Sequence, residues 1–254
     1  MPVKTKILLH LERPVQIIEL LPERIHALFF SILPEKVSQE LHSIKGTKPF
    51  TVCFKDFFGK DGKEEVKRIS LTVTLLKDEL FPLLSEGIIL GKKELKIGGV
   101  GISSKRITSS EHKTYQRLME EGKVTRDFLF FFQTPTTFKK GHSDYPLPEP
   151  ALIFKSLLRK WNSYSEEKLE LSLAELSKML QVGGFWIKTR KLPVSQNAKL
   201  TGFTGRVFIN ARIEDEETLK KLYTLASFAE FSGVGRKTTM GFGKVSLIRD
   251  STTS

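Results

Sequence analysis

One order of local signals occurs twice along this 254-residue chain: strand, helix, strand, strand, helix, strand. In the first pass "TKILLHLE" (5–12) is a short apolar strand soon ended by Pro14. "PERIHALFFSIL" (22–33) sets Ile25, Leu28, Phe29 and Ile32 at helical spacing. "PEKVSQELHSI" (34–44) is a second helix with Pro34 in its first turn and Gly46 as its stop. "FTVCF" (50–54) and "RISLTVTLL" (68–76) are β-branched and aromatic, joined by the polar turn "GKDGKEE". "KDELFPLLSEGIIL" (77–90) reads as helix despite Pro82, and "KKELKIGGVGI" (92–102) returns as strand. In the second pass "TRDFLFFFQTP" (125–135) suits the middle of a sheet, its aromatic run serving as core. The helix "ALIFKSLLRKWNSY" and the shorter "LAELSKML" follow it. Next come the strand pair "GFWIKTRKL" and "LTGFTGRVFINAR", then a helix through "TLKKLYTLASFAEF", whose acidic start suits its dipole. "GKVSLIR" closes the series. Such an order is the split βαβ unit. The chain is therefore expected to be α+β, with two tandem ferredoxin-like βαββαβ domains at 1–115 and 122–254. The boundary falls in the polar stretch near 108–123.

A net charge of +12 and a pI near 9.6 do nothing for such a fold, but they favour a polyanionic partner. No apolar run approaches the ~18 residues of a spanning helix, so nucleic acid is preferred to membrane. No signal peptide is apparent, since "MPVKTKILLHLERP" is broken early by charge and proline. One cysteine, Cys53, excludes an internal disulfide and a cysteine-rich zinc site, and the five histidines are scattered. A cytoplasmic protein without metal or cofactor is expected.

The most concentrated signal is "SGVGRKTTMGFGKV" (232–245). Gly233, Gly235, Gly241 and Gly243 form two GxG pairs around Arg236, Lys237, Thr238 and Thr239. Nucleotide-binding glycine loops follow a strand and open a helix. Here the order is reversed, there is no GxxxxGK[ST], and Asp250 stands too near for a ribose partner. A helix cap and hairpin turn would account for Gly233 and Gly235. A loop laid along an RNA backbone accounts for all four glycines and for the cations among them.

The block "FAEFSGVGRKTTMGFGKV" resembles the C-terminal glycine-rich signature of the RAMP superfamily. With "QTPTTFKKGHSDYPLPEPALIFKSLLRKWN", "LTGFTGRVFI" and "ELHSIKGTKPFTVCF", the chain more narrowly resembles the CRISPR-associated endoribonucleases that cut repeat RNA into guide units. The resemblance implies tandem ferredoxin-like domains and metal-independent cleavage of precursor repeat RNA by its own 2′-hydroxyl, giving a 2′,3′-cyclic phosphate. It also implies RNA contact by the glycine loop, and His42 as catalytic histidine with Lys48 beside it.

The residues support His42 independently. Val37, Leu41 and Ile44 form the apolar stripe of its helix, which leaves His42 on the polar flank with Ser38 and Lys45. Metal-free RNA cleavage needs a base, an acid and a cation, and histidine serves either proton transfer near neutral pH. His26, one helix earlier, is the second candidate: it is the titratable group nearest the positions where some family members carry a tyrosine. The same position also suits a half-buried packing residue. Lys139 and Lys140, in the loop with His142, are candidate RNA contacts beside Lys45, Arg236, Lys237 and Thr238. His10, Cys53 and Trp161 read as structural, and His112 falls in the stretch between the domains. The rival reading is a non-catalytic RAMP subunit that binds guide RNA within an effector complex. Partners are repeat RNA and such a complex, with the chain itself monomer or homodimer.

Overall fold

The computed structural model describes residues 1–91 and 94–249, so Lys92, Lys93 and Asp250 lie outside the described residues. The chain divides into two compact units. Unit 1 holds Met1–Lys113, with the segments Leu192–Leu200 and Lys237–Gly241; unit 2 holds Thr114–Lys191, Thr201–Arg236 and the described residues from Phe242 to Arg249. The glycine loop is thus shared: its inner residues pack in unit 1.

In unit 1 the elements are β1 (Val3–Gln16), α1 (Pro22–Ile32), α2 (Glu35–Ser43), β2 (Phe50–Phe54), a short α3 (Asp56–Gly59), β3 (Glu65–Leu75), α4 (Leu80–Ile89), β4 (Lys96–Ile97) and β5 (Val100–His112). The sheet order is β2-β3-β1-β5-β4, antiparallel throughout. Its first four strands give the ferredoxin-like arrangement. α2 stops three residues before Gly46 because Ile44 is already extended, and Gly46 carries the positive φ of the following turn. Pro82 sits in the first turn of α4, where a missing N–H costs nothing. The polar stretch expected to separate domains is ordered. β5 runs through it to His112, which pairs with Val3 and packs against Phe81 at 4.8 Å.

In unit 2 the elements are α5 (Tyr115–Glu120), β6 (Asp127–Thr136), β7 (Phe138–Lys140), β8 (Ser143–Tyr145), α6 (Pro150–Tyr164), α7 (Leu173–Met179), β9 (Leu180–Ser195) and β10 (Ala198–Ala211) apart from their joined ends Leu192–Leu200, α8 (Glu216–Ser232) and β11 (Val245–Ile248). The order β11-β6-β10-β9 repeats the ferredoxin-like pattern. Phe128, Phe130 and Phe132 are fully buried, as are Trp161 of α6 and Phe228 of α8. The aromatic run is not core throughout, however. Strand side chains alternate between faces, so Phe131 points the other way and stays 38% exposed.

Candidate active site

α1 turns Ile25, Leu28, Phe29 and Ile32 into the core of unit 1. His26 and Phe30 stand one turn apart on the flank of that stripe, both half-buried. α2 buries Leu41, which leaves His42 exposed in its last turn. The two imidazoles meet across Phe30. His26 lies 4.8 Å and His42 4.9 Å from its ring, and the imidazole centroids are 6.3 Å apart. Phe50 of β2 closes the apolar floor, 5.9 Å from His26 and stacked on Phe29 at 4.5 Å.

Lys48 fixes the end of α2. Its Nζ donates to the carbonyl oxygens of Leu41 and His42, the latter at 3.0 Å. These are carbonyls that a helix C-terminus leaves unpaired, and an ammonium is favoured there by the dipole. Burial holds the Lys48 pKa below its ordinary value. His26 is lowered more, to about 4: burial is the largest cause, followed by repulsion from His42, Lys48 and Lys237. Lys237 thus bears on the same site. It is the one non-glycine residue with positive φ among the described residues, at 58°, and it opens the 3₁₀ turn Thr238–Met240. At neutral pH His26 is a neutral imidazole beside cations, able to accept a proton. Lys45 is exposed just past α2.

The amides of the four loop glycines find partners within the chain. Gly233 donates to the Ala229 carbonyl, Gly235 to Ser156 Oγ at 2.9 Å, Gly241 to the Thr238 carbonyl and Gly243 to the Pro135 carbonyl at 3.0 Å. A Cβ on Gly235 would sit 2.4 Å from the Thr137 carbonyl oxygen, and one on Gly241 2.9 Å from the Phe58 ring. Both have positive φ, so no other residue fits without strain. Lys160, buried in α6, donates to the carbonyls of Ser232 and Gly233 at 2.7 and 2.8 Å and holds the loop's entry. Burial, with a smaller effect of Arg159, lowers its pKa to about 7.

The loop's cations divide. Arg236 pairs with Asp144 of β8 and lines an open cavity of about 230 Å³ in unit 2 together with Lys139, Lys155 and Arg159. Lys140 instead pairs with Glu149 and covers the Tyr145 ring at 4.0 Å. Lys155 and Arg159 were not singled out from sequence, although their i, i+4 spacing on α6 was the available signal. Among the described residues no three His, Cys, Asp or Glu side chains converge as metal ligands, and no helix is long and apolar enough to cross a membrane.

Residues 130–245 match the model of the family described as CRISPR-associated endoribonuclease Cas6. A solved Cas6 from Thermus thermophilus, in a product complex, superposes with a TM-score of 0.83 at 26% identity, covering 98% of this chain and 100% of that one. These likenesses support a CRISPR-associated endoribonuclease of the RAMP-like superfamily. A Mycobacterium tuberculosis Cas6 endoribonuclease is 24% identical over 225 residues, 87% of this chain and 69% of that protein. A Streptococcus thermophilus Cas6 is 31% identical over 124 residues, 47% of this chain and 50% of that protein. The Cas6 family model does not reach residues 26–48, so the paired histidines rest on the geometry described above.

Proposed function

We propose that this chain is an endoribonuclease that cuts CRISPR repeat RNA into guide units, with the RNA's own 2′-hydroxyl as nucleophile and no metal ion. Among its solved relatives are Cas6 product and substrate-mimic complexes, and one Cas6 histidine-to-alanine mutant. The observation that carries the mechanism is the pair of imidazoles 6.3 Å apart, one of them kept neutral by its surroundings.

In this reading neutral His26 takes the 2′-hydroxyl proton as the oxygen attacks phosphorus. The bond from phosphorus to the 5′-oxygen breaks, and His42 delivers a proton to that leaving oxygen. The products are a 2′,3′-cyclic phosphate and a 5′-hydroxyl. Lys237 supplies positive charge where negative charge grows on the phosphorane. Lys48 keeps α2, and with it His42, in place.

The test is incubation of the purified protein with its repeat RNA in EDTA, followed by analysis of the product ends. Cleavage is expected with a cyclic phosphate, and none on RNA with a 2′-deoxy at the scissile position. Dependence on added Mg²⁺, or cutting of the deoxy substrate, overturns the mechanism. Tight binding without any cleavage would assign the chain to the RNA-binding subunits.

A further inference from the structure

The sheet of unit 2 carries its helices on one face, burying Phe128, Phe130, Phe132, Val207 and Ile209 beneath them. The register aligns the other face: Phe131 of β6 stands opposite Arg206 of β10, and Leu129 opposite Phe208. β9 forms the edge beyond β10. A Cβ on Gly183 would lie 2.5 Å from the Phe208 ring, so Gly183 is on this open face and Phe185, two residues on, shares it. Phe131 is 38% and Phe185 64% exposed, and Arg206, on the strand between them, is exposed too. Trp186, next to Phe185 on the same edge strand, is 86% exposed.

Exposed aromatics on a long edge strand invite either self-association or a ligand. Charge decides between them. Residues 180–211 carry Lys188, Arg190, Lys191, Lys199 and Arg206 and no Asp or Glu. A second copy would meet the same cations, whereas a polyanion with flat apolar faces meets both features. Aromatic platforms interleaved with cations are how single-stranded nucleic acid is held without sequence readout.

We propose that the open face formed by Phe131, Arg206 and Phe185, with Trp186 at its edge, is a stacking platform for single-stranded RNA, separate from the histidine pair of unit 1. This rests on the reading of the chain as an RNA-processing protein. Bases stack on the phenylalanines and on Trp186, and Arg206 meets the backbone between them.

Trp186 makes the test direct, because the other tryptophan, Trp161, is fully buried. A 12-nucleotide oligoadenylate should quench the exposed tryptophan and shield it from acrylamide. The F185A/W186A double variant should bind this RNA about 10-fold to 100-fold more weakly, with the slope of log affinity against log salt unchanged. Arg206→Ala should weaken binding and reduce that slope by about one. Melting curves show that the variants fold. Unchanged affinity in the double variant, with Trp186 still open to acrylamide, overturns the platform. Conversion of a dimer to monomer without loss of affinity would do the same and give the edge to a second copy. Cleavage of repeat RNA by the wild-type protein, run in parallel, separates the two readings: failure there, with the platform intact, removes the nuclease alone.

Discussion

The rings of His26 and His42 stand 6.3 Å apart at an interplanar angle of 80°, with Phe30 in contact with both. At that separation a phosphodiester can lie within reach of both imidazoles. Phe30 keeps the floor between them apolar. If both act, each loss should be severe. His42→Ala and His26→Ala are each expected to lower single-turnover cleavage by ~10²-fold or more with RNA affinity nearly intact. A His26→Ala protein with near wild-type rate would make that residue packing only.

Part of this site can be read from the sequence. The stripe of α2 places His42 on an exposed flank, and the ordinary rules of helix starts and stops locate both helices. Its pairing with His26 is not readable, because it depends on how α1 and α2 cross. The glycine loop shows the same division. Its positive-φ positions are visible as GxG pairs, but the partners of its amides are Ser156, Pro135 and Ala229, two of them far off in sequence. Lys160 is hidden more thoroughly: among the lysines of α6 nothing local distinguishes the buried one. The open face around Phe131 escaped because an unbroken apolar run conceals its own alternation.

The pH dependence of cleavage has a definite sign. With His26 held at about 4, the base is already deprotonated at pH 6. The acid limb of kcat/KM should therefore lie near pH 4 rather than near 6.5. The same shift acts on stability. Between pH 6.5 and 4 the unfolded chain binds a proton that the folded chain refuses, so this residue's contribution falls as pH drops through that window. Rates and melting temperatures from pH 4 to 8, for wild type and His26→Asn, check both statements. An acid limb near 6.5 would place another group in the role of base.

In the proposed mechanism Lys48 acts through His42 rather than on the substrate. Lys48→Met removes the donor to two carbonyls at the end of α2, and should cost about 1 kcal/mol of stability by chemical denaturation. It should also lower the cleavage rate, since the last turn then frays beneath His42. A variant with wild-type stability and reduced rate would instead put the Lys48 ammonium on the reacting phosphate.

Lys160 should reveal itself at alkaline pH. Its folded pKa of about 7 lies below the ordinary 10.5, so above pH 7 the folded chain gives up a proton that the unfolded chain keeps. Stability from this group therefore rises with pH up to about 10.5. The neutral amine still donates to Ser232 and Gly233. The melting-temperature gap between wild type and Lys160→Met should widen in favour of wild type from pH 7 to 10. A gap independent of pH would show that the ammonium keeps its proton throughout.

The two neighbouring cations of the glycine loop can be separated because they face different partners. Arg236 is paired with Asp144 and lines the basic cavity, while Lys237 opposes protonation of His26. Arg236→Ala should weaken RNA binding and lower the salt slope by under one, with the pH profile unmoved. Lys237→Ala should move the acid limb upward, because a repulsive cation has gone, and should slow cleavage more than it weakens binding. Neither substitution touches a glycine, so both proteins should melt near wild type, whereas Gly235→Ala should cost more than about 1 kcal/mol by forcing a side chain against the Thr137 carbonyl. The decisive comparison is the acid limb of the two single variants. If both move it equally, or neither does, Lys237 has no special claim on His26, and the loop acts on RNA through charge alone.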